Sequence, residues 1–524
     1  MNLKRLFMSG NTTPLPWRLL TALLLVMVFD TMNMTMIFSF LPKLVKSFGT
    51  SEADTGYYAG IIASSMGIGQ TIFSLIWGSI ADGKGKKTTL IASTASMMIA
   101  TLAFGFSRSF TWAVTTRFIV GASLGISLIS KSIIADVCDD TNMAFAMTIL
   151  LSTVSVGFII GPSLAGFLAF PAEQYPDTFS QDSVFGRFGI LLPNLVLAIG
   201  LAIGIILIVL FIPNKTRTKN GGTPLLNSST QTKEDLITRA VENATGEKKS
   251  SQYATFSLHS KDNAQQRGWR TWLTKVKTYK LIKLICTKDY ARVNVVYFTI
   301  GMNAFGNHEI LPLFAASSTE YHGMGFSTSK IGLTLLMVSA CFLPCQLSII
   351  PKIIRRYGSR KTLIGCNLLL AFVCPWTPIL VNIISNRTAA WMAVVVVSFL
   401  QRLCMATVFV SINILLNNSV SPDLLGSANG FSMIFLSLGR MIAPLIVGST
   451  YSWSLKNILD VSSNYNPIGF PFDQHFSFYV LSMMAIFNSF LASKISPTLD
   501  KKKIMSSVIP LNRDAVRNAP ESTL

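Results

Sequence analysis

Twelve apolar segments dominate this chain of 524 residues. They run approximately over residues 17–41, 56–80, 88–106, 111–135, 143–169, 189–212, 293–316, 331–350, 362–384, 389–414, 424–450 and 476–493. Each is close to the roughly 20 residues an α-helix needs to cross a bilayer. Hydrocarbon admits only structures that satisfy their own backbone hydrogen bonds, so apolar runs of this length predict helices. Charged residues make up 13% of the chain and hydrophobic ones 50%. A soluble domain carries about 25% charged residues, and helices facing lipid explain the deficit. The expected fold is all-α and integral to the membrane, with twelve transmembrane helices in two bundles of six.

The longest polar segment divides the apolar runs into those two groups. The expected organisation is therefore a short N-terminus over 1–16, a first six-helix bundle over 17–212, a linker over 213–292, a second six-helix bundle over 293–493 and a tail over 494–524. The linker opens with a Thr-, Asn- and Ser-rich stretch of disordered composition, about 214–265. It then becomes basic and amphipathic, from Trp269 and Arg270 through Lys275, Lys277 and Lys280 to Lys283. Such a stretch suits the anionic inner leaflet, or serves simply as a tether.

The net charge of +20 raises the question of nucleic acid. The basic residues cluster at the ends of apolar segments instead, and no aromatic-basic module is visible, so the expected partner is the lipid bilayer and not nucleic acid. Lys and Arg also set orientation. Lys4, Arg5 and Arg18 precede or open the first run, Lys84, Lys86 and Lys87 follow the second, and Lys501, Lys502 and Lys503 follow the last. The linker holds 16 Lys and Arg against 6 Asp and Glu. Loops of opposite parity are neutral or acidic, with Glu173, Asp177 and Asp182. The positive-inside rule places both termini and the linker in the cytosol. The sequon at Asn243 is then expected to stay unglycosylated. The run beginning near Trp17 is long enough to be the first span, not a cleaved signal peptide. None of the seven cysteines falls in an expected outer loop, so no structural disulfide is expected.

Between the second and third runs stands Gly78-Ser79-Ile80-Ala81-Asp82-Gly83-Lys84-Gly85-Lys86-Lys87. Gly78 permits close helix approach, Asp82 sits at the membrane edge, and Gly85, Lys86 and Lys87 form a charged turn. Asp82 is expected to act as a cytosolic latch, accepting hydrogen bonds from a neighbouring helix end or cation. Lys86 and Lys87 are expected to anchor to lipid phosphates. A basic topogenic loop would explain the lysines but not Asp82 or Gly78. A degenerate copy begins at Arg355-Arg356-Tyr357-Gly358, with Ile353 or Ile354 near the aspartate's place. A second repeat is sharper. Gly157, Gly161, Pro162 and Gly166 in the fifth run are matched in the eleventh by Gly439, Ala443, Pro444 and Gly448 at identical spacing. Small residues four apart let helices pack closely, and proline kinks them. Their recurrence at corresponding positions argues for duplicated bundles, as in secondary transporters. No Walker motif is present, which argues against an ATP-driven pump.

These segments resemble the major facilitator superfamily, in particular its proton-coupled drug antiporter branch. Gly78–Lys87 is similar to that family's loop between helices two and three, with Gly83 where Arg or Lys is more usual and Lys86 where Arg is. Arg117-Phe118-Ile119-Val120-Gly121 resembles the branch's fourth-helix motif, and Gly157–Gly166 its antiporter motif with Ala165 in place of a glycine. Gly56-Tyr57-Tyr58-Ala59-Gly60, Pro171–Pro176 and Gly426–Gly430 resemble zinc-induced-facilitator-like transporters. The resemblance covers about 14–499 apart from the linker. It implies a monomeric transporter with the major facilitator fold, not an enzyme, needing no cofactor. The implied activity is proton-coupled efflux of a small organic solute, organic ion or metal chelate across a vacuolar, lysosomal or plasma membrane. A uniporter or symporter, and a membrane sensor that does not transport, are the rival readings.

Ionisable residues inside spans are costly and mark function by default. At about 1.5 Å per residue, Asp30 and Arg117 fall roughly 20 Å from the cytosolic edge, and Glu309, His308 and Arg440 at roughly 24 Å. Burial favours a neutral carboxyl and a neighbouring cation favours the charged one. Movement of Asp30 relative to Arg117, or Glu309 relative to Arg440, would therefore switch proton affinity, and the resemblance strengthens that reading for both acids. The rival is a set of fixed ion pairs that only assemble the bundles. His308 beside Glu309 is too few ligands for zinc, so no metal site is expected. Lys131 and Asp136, a basic-acidic pair that the resemblance extends to the family, are candidates for an inner gate, the rival being a lysine that snorkels to the interface. Arg402 has no partner assignable from sequence.

Overall fold

The structure is a computed structural model that describes residues 15–138, 142–213, 287–420, 425–458 and 467–500. Most of the N-terminus, the linker with its amphipathic stretch and sequon, Cys286, the tail lysines, and the side chains of Asp82, Gly426 and Ser427 lie outside the described part. The described residues are helical almost throughout. In chain order the main helices are α1 (Trp17–Thr35), α2 (Ile37–Ser47), α3 (Thr55–Lys84), α4 (Lys86–Gly105), α5 (Phe110–Ala122), α6 (Ile126–Val137), α7 (Met143–Leu168) and α8 (Leu191–Phe211). Then follow α9 (Lys288–Ala316), α10 (Thr328–Ser348), α11 (Ile350–Tyr357), α12 (Ser359–Val373), α13 (Trp376–Ile383), α14 (Arg387–Asn418), α15 (Leu425–Leu455) and α16 (Phe476–Ser493).

Several of these pair end to end into single long rods. Among the described residues, ten rods are long and apolar enough to cross a membrane, including Trp17–Ser47, Phe110–Val137 and Ser359–Ile383. α7 and α9, with 26 and 29 residues, are long enough but fall outside that set. α9 is the more polar of the two because it carries Asn303, Asn307, His308 and Glu309 mid-helix. Side chains start several helices: Ser109 accepts from Trp112 N, Ser327 from Lys330 N, and Asn386 from Thr388 N and Ala389 N. Each satisfies an amide that the first helical turn leaves open.

The break between α5 and α6 shows how an interrupted span is tolerated. Ser93 Oγ donates to Ser123 O at 2.9 Å and accepts from Gly125 N at 3.2 Å, while Trp77 Nε1 donates to Ala122 O at 2.7 Å. Backbone groups freed by the break thus find side-chain partners, as burial in a membrane requires. Gly125 is needed there, because a Cβ would stand 2.8 Å from Trp77 Cγ.

Two compact units emerge, one of Met1–Phe40 with Ile68–Cys286, the other of Leu41–Gly67 with Thr287–Leu524. By contacts, Leu41–Gly67 groups with the residues of the second unit. Within the first unit α1 packs on α7 and α8, and α4 on α5, α6 and α8. Within the second, α9 packs on α15 and α16, α12 on α14 and α16, and α10 on α14. The pairing of α1 with α7 matches that of α9 with α15, and both use the repeated small residues. A Cβ at Gly157 would lie 2.5 Å from Thr31 Cβ, and one at Gly161 2.6 Å from Thr35 Oγ1. A Cβ at Gly439 would lie 2.6 Å from Phe298 O. Ser39 Oγ also donates to Pro162 O at 2.5 Å.

Candidate functional site

In the first unit, the polar centre is built on α1. Asp30 and Asn33 are one turn apart and 4% and 1% exposed. Arg117, from α5, is 1% exposed; its guanidinium donates to Asn33 O at 3.3 Å and lies 5.2 Å from the Phe104 ring centroid. Asn33 donates from its side chain to Thr101 Oγ1 on α4. Lys131, half-buried on α6, lies within electrostatic reach of Asp30. Three of the expected residues, Asp30, Arg117 and Lys131, therefore gather around one turn of α1.

In the second unit the polar centre is built on α9. Glu309 is 1% exposed. Its neighbour His308 accepts at Nδ1 from Arg402 of α14 at 3.3 Å, and Arg402 also donates to Ser339 Oγ of α10 at 3.3 Å. An imidazole that accepts at Nδ1 carries its proton on Nε2. His308 is thus an acceptor for a guanidinium, which supplies the partner that sequence reasoning lacked for Arg402. Arg440 of α15 lies 4.5 Å from the Phe305 ring centroid, one turn from Glu309. Asn303 donates to Leu481 O at 2.9 Å, Asn307 to Asn303 Oδ1 at 2.7 Å, and Gln401 to Thr377 Oγ1 at 3.0 Å. The polar face of α9 is therefore tied by a hydrogen bond to α16, and the neighbouring α14 to α13. Among the described residues, no group of three or more His, Cys, Asp or Glu could hold a metal ion.

The charged turns differ in detail from expectation. Gly85 has φ of +92°, a left-handed conformation suited to glycine. Lys86 and Lys87, expected at lipid phosphates, reach protein acceptors. Lys86 Nζ pairs with Asp136 Oδ2 at 2.6 Å and donates to Ser132 O at 3.0 Å, and Lys87 donates to Val209 O at 2.9 Å. Asp136 thus partners Lys86 rather than Lys131. Gly78 sits beside Leu128, which a Cβ would meet at 3.7 Å. In the second copy, Gly358 has φ of +79°, and Asp500 accepts from Arg360 N at 2.8 Å. An acid therefore stands at the start of α12 although the copied motif has none.

A further cluster escaped sequence reasoning altogether. In the second unit, the start of α3 lies against α15 backbone to backbone. A Cβ at Gly56 would fall 2.7 Å from Gly448 O, and one at Gly60 2.4 Å from Pro444 O. Tyr57 N donates to Ser452 Oγ at 2.7 Å. Just before α3, Asp54 pairs with Lys456 at 2.8 Å, and Glu52 pairs with Lys46 at 3.0 Å and accepts from Ser318 N at 2.6 Å. Hydrogen bonds and charge from Lys456, with a hydrogen bond from Ser51, hold the Asp54 carboxyl below its ordinary range. The glycines at 56 and 60 were the available signal, but nothing in their spacing named α15.

Long apolar helices with buried ionisable groups at their middles define a polytopic membrane protein built for moving solutes rather than for covalent chemistry. The chain belongs to the Major Facilitator Superfamily, whose model matches residues 23–347 and 293–510. It is 27% identical over 442 residues to Protein ZINC INDUCED FACILITATOR-LIKE 1 of Arabidopsis thaliana, covering 84% of this chain and 85% of the relative. It is 26% identical over 493 residues to the major facilitator superfamily multidrug transporter mfsB of Aspergillus fumigatus, covering 84% and 79%. Among solved structures, a D-xylose-proton symporter shares the fold at a TM-score of 0.62 and 14% identity, covering 93% of this chain and 99% of that one. The protein is a multi-pass membrane transporter of the secondary type, not an enzyme, and its substrate is a small molecule.

Proposed function

We propose that the protein is a proton-coupled antiporter that exports a small organic solute, organic ion or metal chelate by alternating access. In this reading α7 and α9 also cross the membrane, giving twelve spans, both termini are cytosolic, and the monomer is the working unit in a vacuolar, lysosomal or plasma membrane. One observation carries the proposal. A carboxylate lies buried mid-helix on the leading helix of each unit, Asp30 on α1 at 4% exposure and Glu309 on α9 at 1%. A buried carboxylate is stable only protonated or next to a cation, so exchange between those states is the elementary step of coupling. Lys131 and Arg117 are the cations of the first unit's polar centre, and Arg402 and Arg440 those of the second's. The similarity to a zinc-induced facilitator-like protein and a multidrug transporter supports a substrate that is an organic ion or a chelate. Asp82 and the Gly85–Lys87 turn are proposed as the cytosolic latch of this cycle, and Asp136 as its partner through Lys86.

The test is flux in proteoliposomes with an imposed pH gradient, for wild type, Asp30→Asn and Glu309→Gln. The expected result is gradient-driven flux in wild type that collapses in both variants, while counterflow without a gradient persists in at least one. Wild-type flux indifferent to the gradient would refute proton antiport and favour a uniporter.

A further inference from the structure

A cavity of about 940 Å³ opens within the second unit. It lies where the α9–α10 connection, the start of α10, the α13–α14 turn and the segment before α16 meet. It is lined by helix ends and loops, and none of the mid-helix charges of α9, α14 or α15 contributes to its wall.

Its chemistry is unlike an apolar groove. Lys330 and Arg387 both line it, and among the described residues no carboxylate pairs with either. The Lys330 ammonium sits 4.1 Å from the Phe326 ring centroid and 5.1 Å from that of Trp391, an aromatic seat that fixes the cation without neutralising it. Among the described lining residues the one acid is Asp473, which is already engaged: its Oδ1 meets His475 Nδ1 at 2.7 Å and accepts from His475 N at 3.2 Å. His475 Nε2 in turn lies 3.2 Å from Asn382, also in the lining. The cavity therefore presents excess positive charge. Gln474, 2% exposed, lines it as well, and its buried Oε1 has no hydrogen-bond partner among the described residues. Buried amide oxygens are rarely left this way, because the unmade bond is lost outright.

We propose that this cavity is a second ligand site, separate from the buried charges of α9, for a small organic anion that also carries a hydroxyl or amine donor. Lys330 and Arg387 take the carboxylate in charge-assisted hydrogen bonds, and the Gln474 amide, whose Oε1 is buried in the wall, turns to take the donor. The inference does not depend on proton coupling.

The matched probes are (S)-malate and succinate, which differ by one hydroxyl, titrated calorimetrically into the full chain in nanodiscs. Malate is expected to bind about tenfold more tightly than succinate, the value of one added hydrogen bond to an otherwise unsatisfied group. Lys330→Gln and Arg387→Gln are each expected to weaken both probes by about tenfold or more. Gln474→Leu is expected to erase the preference for malate while succinate binding is retained, a readout that misfolding would not produce. Glu309→Gln is expected to leave malate binding unchanged. Absence of malate binding up to millimolar concentration, or binding untouched by the Lys330 and Arg387 variants, would overturn the proposal. Loss of binding in Glu309→Gln alone would place malate in the transport centre, refuting the second site while leaving the proposed function standing. Gradient-indifferent transport with intact Lys330-dependent binding would do the reverse.

Discussion

The contact between α3 and α15 is a place where one methyl group should change the protein sharply. In Gly60→Ala the new Cβ would lie 2.4 Å from Pro444 O and 3.1 Å from Pro444 C. Both are backbone atoms, so no side-chain rotation relieves the clash. Non-bonded atoms are comfortable near about 3.5 Å, so this stretch of α3 and α15 must part by roughly 1 Å. Overpacking of this kind costs about 1–3 kcal/mol. The Asp54–Lys456 pair cannot resist it: its side chains are 38% and 42% exposed, and an exposed pair is worth about 0–1 kcal/mol. The balance favours the parted arrangement by about 5- to 150-fold relative to wild type. Ser64 on α3, 4% exposed, reports the change. In a cysteine-free background, the rate of maleimide labelling of Ser64→Cys should rise by that factor when Gly60→Ala is added. Gly365→Ala is the control, since nothing lies within 4 Å of a Cβ there. A folded Gly60→Ala protein that labels at the wild-type rate would refute the argument that backbone contact at Gly60 holds these helices together.

The same reporter tests the ion pair. Because the Asp54 carboxyl titrates below its ordinary value, its contribution is complete above about pH 4 and is lost only as pH falls through the lowered value. The thiolate is the species that reacts, so Ser64→Cys labelling divided by the rate for a free thiol at the same pH should be flat between about pH 7.5 and 5; a rise in that ratio within the window would show that another group controls the contact. Asp54→Asn should raise the rate only a few-fold, in keeping with about 0–1 kcal/mol for an exposed pair. At the break between α5 and α6, Ser93→Ala removes one donor and one acceptor from fully buried backbone groups. Those two groups also bond each other, Gly125 N donating to Ser123 O at 2.8 Å, so each loss costs about 0.5–1.5 kcal/mol; the melting temperature of the solubilised protein should fall by a few degrees, and an unchanged value would mean that the backbone bond alone satisfies the break.

What the sequence makes legible depends on whether a feature is local. Membrane spanning is visible because every helix must carry its own apolar length, and Asp30, Arg117, Glu309 and Arg440 stand out because charge inside such runs is rare. Gly157, Pro162, Gly439 and Pro444 are visible because close packing demands small residues whichever helix lies opposite. Partner choice is different, since it needs the register between helices. Lys131 and Asp136 look paired in sequence, yet five residues at about 100° each put them on different sides of α6. Asp136 instead meets Lys86 from the start of α4. Arg402 finds His308 across α9 and α14, a register no spacing reveals. Gly56 and Gly60 stand out in the sequence only through a family resemblance, and it is their contacts with Gly448 and Pro444 that show them packing on α15.

The second charged turn shows why a lost motif residue is not a lost interaction. The aspartate of the first copy has an isoleucine near its place in the second, which suggests an asymmetric pair of turns. Yet the start of α12 does meet a carboxylate. Asp500 accepts from Arg360 N, and a Cβ at Gly358 would stand 3.1 Å from its Oδ2, so only glycine leaves room for it there. Arg360 also donates to Ser493 O at 2.6 Å, binding the start of α12 to the end of α16. The first amides of any helix need an acceptor, and an acid is the best one at that end of the dipole. The requirement is set by the helix, so it persists when the motif changes. The acid that meets it lies 140 residues later in the chain, where motif comparison has no reason to look.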